Sequence, residues 1–572
     1  MTELESLGKV VETDVLIIGG GASGLWAAIK ARPFVGTVTV VDKGPTVGPT
    51  NPGYFSGGGL VAITPGGSVE GVVEEMVYFE DGLVEQDILE AIARQSCDRI
   101  GDLQRLGADF FKEPDGRLKG VPQRGLKHVK IYTQQPFGIG GKRMIGILLK
   151  EAKKLGVRFL SRIFITDILT KDGRANGAIG FHTRTGEFYI FRANAVILCS
   201  GSGNLQTHYP DMAMSTGDGI RMALEAGCEL RNLEFVTMWV VPRLFGWPGI
   251  TFLLPMGARF INAKGETFID KYSPILKSNC DFNYISMFMA LEAREGRGPF
   301  YLDCSPMKPE DRDMMQPRGG WTKLQYEKLQ NKGLRFFDQK TEWMPAFHGT
   351  MGGAVKTAGK METAVPGLYI AGRLRSIDPG VYMGGWALCT CAAFGCWAGE
   401  NAGKYANSCQ PPQIDKDRAI ALKQNVYAPL GKVGLDPEEV IKQVQKAVFP
   451  YDVIVLKSEK NLTNALSQVE AIRDEILPKL GARDPHYLRK LIEVKNMTLT
   501  AELMLRASLM RRESRASHYR EDYPNRDDKN WLKWIIIRKE GDKLRLDTEP
   551  VPFEKYKFRP SRYYSDNFRL PK

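Results

Sequence analysis

Apolar residues in this chain gather in short β-branched runs that stop abruptly at glycine. Residues 14–18 read DVLII and run directly into Gly19-Gly20-Gly21-Ala22-Ser23-Gly24, after which LWAAIKA carries its apolar positions at helical spacing. A second such run, TVTVVD, ends at Asp42 with Lys43 behind it. A third, AVILCSGSG over 195–203, enters a Gly/Ser turn at Ser200 and Gly201. TGDG over 216–219, with Asp218, then opens a helical stretch, IRMALEAG. GLYIAGR over 367–373 forms a further strand and turn, ahead of a glycine-rich segment and a helix from about Ala387 and Leu388. From 412 to 510 the pattern is helical and rich in charge, as in NALSQVEAIRDEILPKLG. Buried strands that return to one sheet after long excursions predict a doubly wound α/β domain interrupted by an insertion.

The first strand, turn and helix give GxGxxG the context that lends it force. Gly19 permits the turn, Gly21 lets the backbone approach a pyrophosphate, and Gly24 allows close packing of helix on strand. The helix N-terminus offers unpaired N–H groups and a positive dipole end to phosphates. Asp42 stands at the distance suited to a ribose diol. These features predict a dinucleotide site.

Composition narrows the class without naming it. Hydrophobic residues make up 43% and charged residues 25%, as in ordinary globular protein. No run of about 18 uncharged apolar residues appears, so an integral membrane segment is not expected. The opening MTELESLGKVVETDV lacks an apolar signal core, and nine irregularly spaced cysteines do not read as a disulfide framework. Cys389 and Cys391 are too close for a CxxC pair, and no metal site is expected. The expected location is therefore the cytoplasm. The net charge of +12 reads as a solvated basic surface or as a face that docks an acidic partner. Lys and Arg are dispersed, which argues against nucleic acid.

Several segments resemble a known family. TGDGIRMALEAG, GARFINAKGETFIDKYSP, LEAREGRGPFYLD, HGTMGGAVKT, GLYIAGR and RESRASHYREDYPNRDDKNWLK occur here in order. They are similar to the flavoprotein subunits of succinate dehydrogenase and fumarate reductase. ITDILTKDGRANGAIGF and FYIFRANAVIL look more like the adenylylsulfate reductase branch. The resemblance implies FAD, bound by a Rossmann-type domain over 1–234 and 346–405. It also implies an α+β capping domain over 235–345, a helical domain over 406–537 and a tail over 538–572. A ferredoxin-like iron–sulfur subunit is the partner it implies.

Several positions depart from that family. Its covalent flavin-linking His corresponds to Asn51 in TNPGYFSGGG, just before Ser56, Gly57 and Gly58, so non-covalent FAD is expected. The family's acidic residue after GLYAAG, which holds the ribityl chain of the flavin, is replaced by Arg373, so the ribityl contacts at this cofactor-binding position are expected to differ. In the family an arginine protonates one alkene carbon while hydride leaves flavin N5. Arg297 in REGRG matches it, with Arg294 and Glu295 beside it, and pairing of Arg297 with a carboxylate at the domain interface is the plainer alternative. His348 in HGTMGG matches a carboxylate-binding histidine. The remaining dicarboxylate contacts have changed. EFVTMWVVPR places Trp239 and Val240 where a histidine is expected, TFLLPM replaces a carboxylate clamp, and Tyr382 stands where the family has its second arginine. A dicarboxylate needs two donor clusters to offset its desolvation.

The expectation is an FAD-dependent reductase or dehydrogenase acting on a C–C bond next to a carbonyl or carboxylate. Its substrate is bulkier or more aromatic than succinate. Trp239, Tyr382 and Met383 also suit plain core packing. Two alternatives remain: a sulfur-nucleotide enzyme like adenylylsulfate reductase, and an electron-transfer subunit without its own substrate.

Overall fold

The computed structural model describes residues 4–123, 126–135, 139–207, 213–243, 253–254, 256–315, 327, 330–350, 352–375 and 383–571. DVLII is the buried end of a longer strand, Lys9–Ile18, at the centre of a seven-stranded sheet. Strands Arg158–Ser161, Val38–Asp42, Lys9–Ile18 and Phe188–Leu198 run parallel in that order, and the inner three are buried on both faces toward their carboxyl ends, which accounts for the apolar runs VTVV, VLII and AVIL. Arg174–His182 and Ile163–Lys171 extend the sheet antiparallel. Leu368–Ile370, arriving 170 positions after Leu198, pairs in parallel with the end of Phe188–Leu198, Ile370 opposite Leu198. The chain therefore leaves this sheet and returns to it.

A stripe of small residues sets the layer above the sheet. In the long helix Trp386–Ser408, Gly395, Gly399 and Gly403 share one face against the helix Ala22–Ala31. A Cβ at Gly399 would lie 2.3 Å from the Ala27 carbonyl oxygen, and one at Gly395 2.6 Å from that of Ser23. Only bare backbone lets the two helices approach so closely. Their contact holds the N-termini of both helices at the carboxyl edge of the sheet.

The excursion builds an antiparallel sheet in the order Thr237–Pro242, Thr341–Gly349, Phe300–Asp303, Arg259–Ile261. The helix Phe282–Arg294, capped by Asp281 accepting the Asn283 N–H at 2.8 Å, packs on it and is buried along almost its whole length. Helices from Lys416 to Met510 follow, the last a 26-residue span, Pro485–Met510.

The C-terminal segment is more than a surface tail. Lys533–Glu540 and Lys543–Pro550 form a hairpin that joins Leu230–Arg231 and Ala354–Val355 in one sheet, so a cut at 537/538 passes through a strand. Further on, Phe568 stacks on Tyr284 of the capping helix at 3.7 Å, and the Tyr564 hydroxyl accepts the Asp281 N–H. Among the described residues no helix is long and apolar enough to cross a membrane.

Candidate functional site

A cavity of about 400 Å³ opens at the carboxyl ends of the parallel strands, where Ile18, Asp42 and Cys199 meet. That is where open α/β sheets bind ligands. Gly19 sits at φ +107° with the Cys199 carbonyl 2.5 Å from any Cβ it could carry, so the turn admits only glycine. Gly24 does not line the cavity; a Cβ there would stand 2.0 Å from the Gly19 carbonyl oxygen. Its place is in the seam of helix on turn.

Two helix N-termini reach the cavity. Gly21 caps Ala22–Ala31 and Gly385 caps Trp386–Ser408, both without a side-chain acceptor for the first amides. Gly21, Ala22 and Ser23 line one end, and Ala387 and Leu388 the other. Uncapped N–H groups and the dipole favour negative charge at both points. Ser200 Oγ, buried in the wall beside Gly201, has no hydrogen-bond partner among the described residues. An extended dinucleotide with a phosphate at one helix and an anionic ring edge at the other fits these donors. Ser56, Gly57 and Gly58 line the same wall near Asn51, whose side chain caps the short helix Pro52–Phe55 by accepting the Tyr54 N–H.

The charged groups at the nucleotide end are largely occupied. Asp42 accepts the Gly20 N–H at 2.8 Å and the Gly44 N–H at 2.7 Å, and burial pushes its carboxyl up despite them. Each oxygen keeps one lone pair for a hydroxyl. Lys43 donates to Thr216 Oγ1 at 2.8 Å, Asp218 Oδ2 at 2.7 Å and Glu493 Oε1 at 2.7 Å, which consumes its three protons. Asp218 also accepts from Asn496 at 2.7 Å. Burial alone would raise the Asp218 carboxyl, but Lys43 and these donors hold it below its ordinary value. Lys43 and Asp218 thus shape the wall as a buried ion cluster.

At the opposite end Trp239 stacks on His348, ring centroids 4.7 Å apart and planes 21° from parallel. Asn204 Nδ2 donates to the His348 carbonyl at 2.7 Å and Thr207 Oγ1 to that of Phe347 at 2.7 Å, which fixes the strand that presents the histidine. Burial, reinforced by the Arg373 charge, pushes the imidazole down to about 3. His348 is therefore neutral at physiological pH, a hydrogen-bonding group and not a cation. Arg373 lines the cavity from the turn that follows Leu368–Ile370.

Arg297 and Arg294 do not line this cavity. The Arg297 guanidinium grips Glu292 with Nε at 2.5 Å from Oε2 and Nη2 at 2.8 Å from Oε1, and also reaches Glu295 at 3.2 Å. Glu292 is 2% exposed and is held as well by Lys271, Tyr272 and Asn262. A bidentate pair with a buried carboxylate captures the arginine within the capping domain. Arg294 pairs with Glu521 on the outer side. Tyr382 lies outside the described residues.

The chain matches a family model described as FAD binding domain over residues 14–387 and one described as fumarate reductase flavoprotein C-term over 442–564. The chain belongs to the FAD-binding flavoprotein family of fumarate reductase and succinate dehydrogenase. It is an FAD-dependent oxidoreductase, and FAD is its cofactor. It is similar to the 8-methylmenaquinol:fumarate reductase flavoprotein subunit of Wolinella succinogenes, 27% identical over 96% of this chain and 92% of that one. The fold is similar to E. coli quinol fumarate reductase, TM-score 0.87 at 21% identity over 97% of this chain and 99% of that one. It is also similar to adenylylsulfate reductase of Archaeoglobus fulgidus, TM-score 0.77 at 23% identity over 96% and 97%.

Several residues of this family member's site escape sequence reasoning. Glu493 and Asn496 reach Lys43 and Asp218 from a helix more than 270 positions beyond Asp218, with no motif to flag them. Cys199 and Cys391 face the cavity from two separate elements, and burial raises both thiols so that they stay protonated. Phe55, which is 47% exposed, and Phe164 add aromatic wall.

Proposed function

We propose that this flavoprotein reduces or desaturates a C–C bond next to a carbonyl or carboxylate, in a substrate bulkier and less charged than a dicarboxylate. The observation that carries this is the continuity of one cavity from the GGGASG turn to the Trp239–His348 stack. Bound along it, FAD supplies hydride transfer at the ring edge. Trp239 offers a flat apolar face, and neutral His348 donates a hydrogen bond to a carbonyl oxygen and so polarises the adjoining alkene. Apolar walls from Phe55, Ile131 and Leu388 exclude water and suit a ring or acyl chain. Asn51, an amide, cannot form the histidyl link expected of the covalent enzymes, which supports non-covalent FAD.

Arg297 is the proton-transfer group that the family resemblance implies. Arg297 is held by a bidentate pair to Glu292 and does not line the cavity, so no step is assigned to it in this arrangement of the capping domain. The relatives are named as subunits, and the proposed outlet for single electrons is an iron–sulfur partner.

Anaerobic reduction of the purified flavoprotein, followed by mixing with enoates, enoyl-CoA esters, cyclic enones and adenylylsulfate, tests the reading. Rapid reoxidation by an unsaturated monocarbonyl compound, lost in His348→Ala with FAD retained, is the expected result. Reoxidation by adenylylsulfate alone overturns it. An Arg297→Ala variant that keeps FAD and loses all alkene reactivity would return the arginine to the mechanism.

A further inference from the structure

The two strands that present Trp239 and His348 do not pair evenly. Thr237 stands opposite Gly349 and Met238 opposite Phe347, so His348 is the extra residue of a β-bulge. A bulge interrupts the ladder and re-aims the side chain it carries. At this bulge the Met238 N–H donates to Asn283 Oδ1 at 2.6 Å, from the helix Phe282–Arg294 packed on the sheet. Met238 and Asn283 are both buried, so water does not replace that acceptor.

Asn283 is in turn held from the C-terminal segment. Its backbone N–H and its Nδ2 both donate to Asp281 Oδ1, at 2.8 and 3.0 Å. The Asp281 N–H donates to the Tyr564 hydroxyl at 3.0 Å. Phe282, between Asp281 and Asn283, lies 5.4 Å from the Trp239 ring, centroid to centroid. Tyr564 is fixed by the turn that follows the helix Val69–Phe79, where the Ser565 N–H donates to Asp81 Oδ1 at 3.1 Å. Asp81 accepts the Ala516 N–H on Oδ2 at 2.9 Å, and its carbonyl accepts from Arg515 Nη1 at 2.7 Å. The Tyr564 ring packs on Phe79 with centroids 4.6 Å apart. A buried chain of hydrogen bonds therefore runs from Tyr564 through Asp281 and Asn283 to Met238, and ends at the bulge.

We infer that Tyr564 is a positioning residue of the reaction end, setting through Asp281 and Asn283 the bulge that aims Trp239 and His348 at the cavity. The inference rests on the proposed function only in placing the reaction end at those two side chains. Without the hydroxyl, the Asp281 N–H is left buried without this acceptor, and the start of the helix must shift or open to recover one. Phenylalanine at 564 keeps the ring and its packing, so that change isolates the hydrogen bond.

Hydrogen–deuterium exchange of the holoprotein, read in peptides covering 237–242, 281–294 and 14–18, tests the coupling. In Tyr564→Phe the first two exchange faster, by about 5- to 100-fold, and the central-strand peptide keeps the wild-type rate. Lys557→Ala, at an exposed position of the same segment, alters none of them. Asn283→Ala accelerates 237–242 by itself, and Tyr564→Phe placed on top adds nothing there, as two links of one chain must. Additive effects, acceleration confined to 281–294, or a uniform rise that includes 14–18 overturns the inference. Where Asn283→Ala sheds FAD, a chain ended at Tyr563 takes its place. It must accelerate 237–242 and leave 14–18 unchanged, and failure on either count overturns the inference too. No substrate enters the measurement, so it can fail while alkene reduction stands and hold while alkene reduction fails.

Discussion

The two ends of the cavity are built from different materials. At the nucleotide end the working parts are backbone: the Gly19–Gly24 turn, the uncapped N-terminus of Ala22–Ala31, and amides fixed by Asp42. Its charged side chains hold one another, Lys43 against Asp218 and Glu493. At the opposite end, the reaction end of the proposed function, the wall is side chains, with Trp239 stacked on His348 from strands of different stretches of chain. A backbone site is tolerant of side-chain change and intolerant of any added Cβ. A side-chain site changes specificity with a single replacement and leaves the fold standing.

That contrast orders the expected effects of mutation. Lys43→Met leaves Asp218 buried without the lysine charge, and Glu493 with Arg489 at 3.9 Å. It should cost about 3–5 kcal/mol of unfolding free energy, read by urea denaturation together with a fall in bound FAD. A loss under about 1 kcal/mol would show that the cluster is a solvated surface pair.

Glu85 comes next. Burial pushes its carboxyl up, but the guanidinium groups of Arg231 and Arg375 outweigh that and hold it at about 2, against an ordinary 4.5. A carboxylate with a depressed folded value stabilises the fold above its unfolded value. That contribution, on the order of 3 kcal/mol, is lost as pH falls from about 4.5 to 2. In Glu85→Gln the stability curve should be flatter across that window, with the turn bearing Arg373 loosened. An unchanged acid limb would detach this clamp from the reaction end.

Gly399→Ala should cost about 1–3 kcal/mol, because its Cβ meets the Ala27 carbonyl, and thermal unfolding reads it directly. The smallest effect belongs to the reaction end. Burial dominates the lowered His348 value and Arg373 adds to it. The wild-type pH profile of alkene reduction should therefore show no ionisation near 6.5, and Arg373→Met should move the imidazole upward only in part. A full return to 6.5 would make charge, and not burial, the controlling influence.

What the sequence made legible follows the same division. The strand–turn–helix around Gly19, Gly21 and Gly24 is local, so the spacing of a few residues specifies it. So is Asp42, at the end of the next strand. The fold class follows from buried runs that recur after a long excursion. Arg297 illustrates the limit. Its motif neighbourhood is intact, yet Glu292, in the last turn of the preceding helix, captures the guanidinium, and spacing alone does not say which of two partners an arginine takes. The hairpin Lys533–Pro550 reads in the sequence as helix end and tail. In the edge strand Lys543–Pro550, Lys543, Arg545 and Asp547 alternate with Leu544 and Leu546, which mimics a solvated segment, and the buried Ile535–Ile537 run of its partner is completed by Leu230–Arg231 from far back in the chain. The glycine stripe at 395, 399 and 403 is visible in the chain, but its meaning depends on which helix lies opposite.

The proposed function requires a substrate bulkier and less charged than a dicarboxylate. Stopped-flow mixing of the anaerobically reduced holoprotein with cinnamate and, separately, with fumarate at equal concentration tests it most directly. The expected result is flavin reoxidation by cinnamate at a rate at least about tenfold above that by fumarate. Faster reoxidation by fumarate would contradict it.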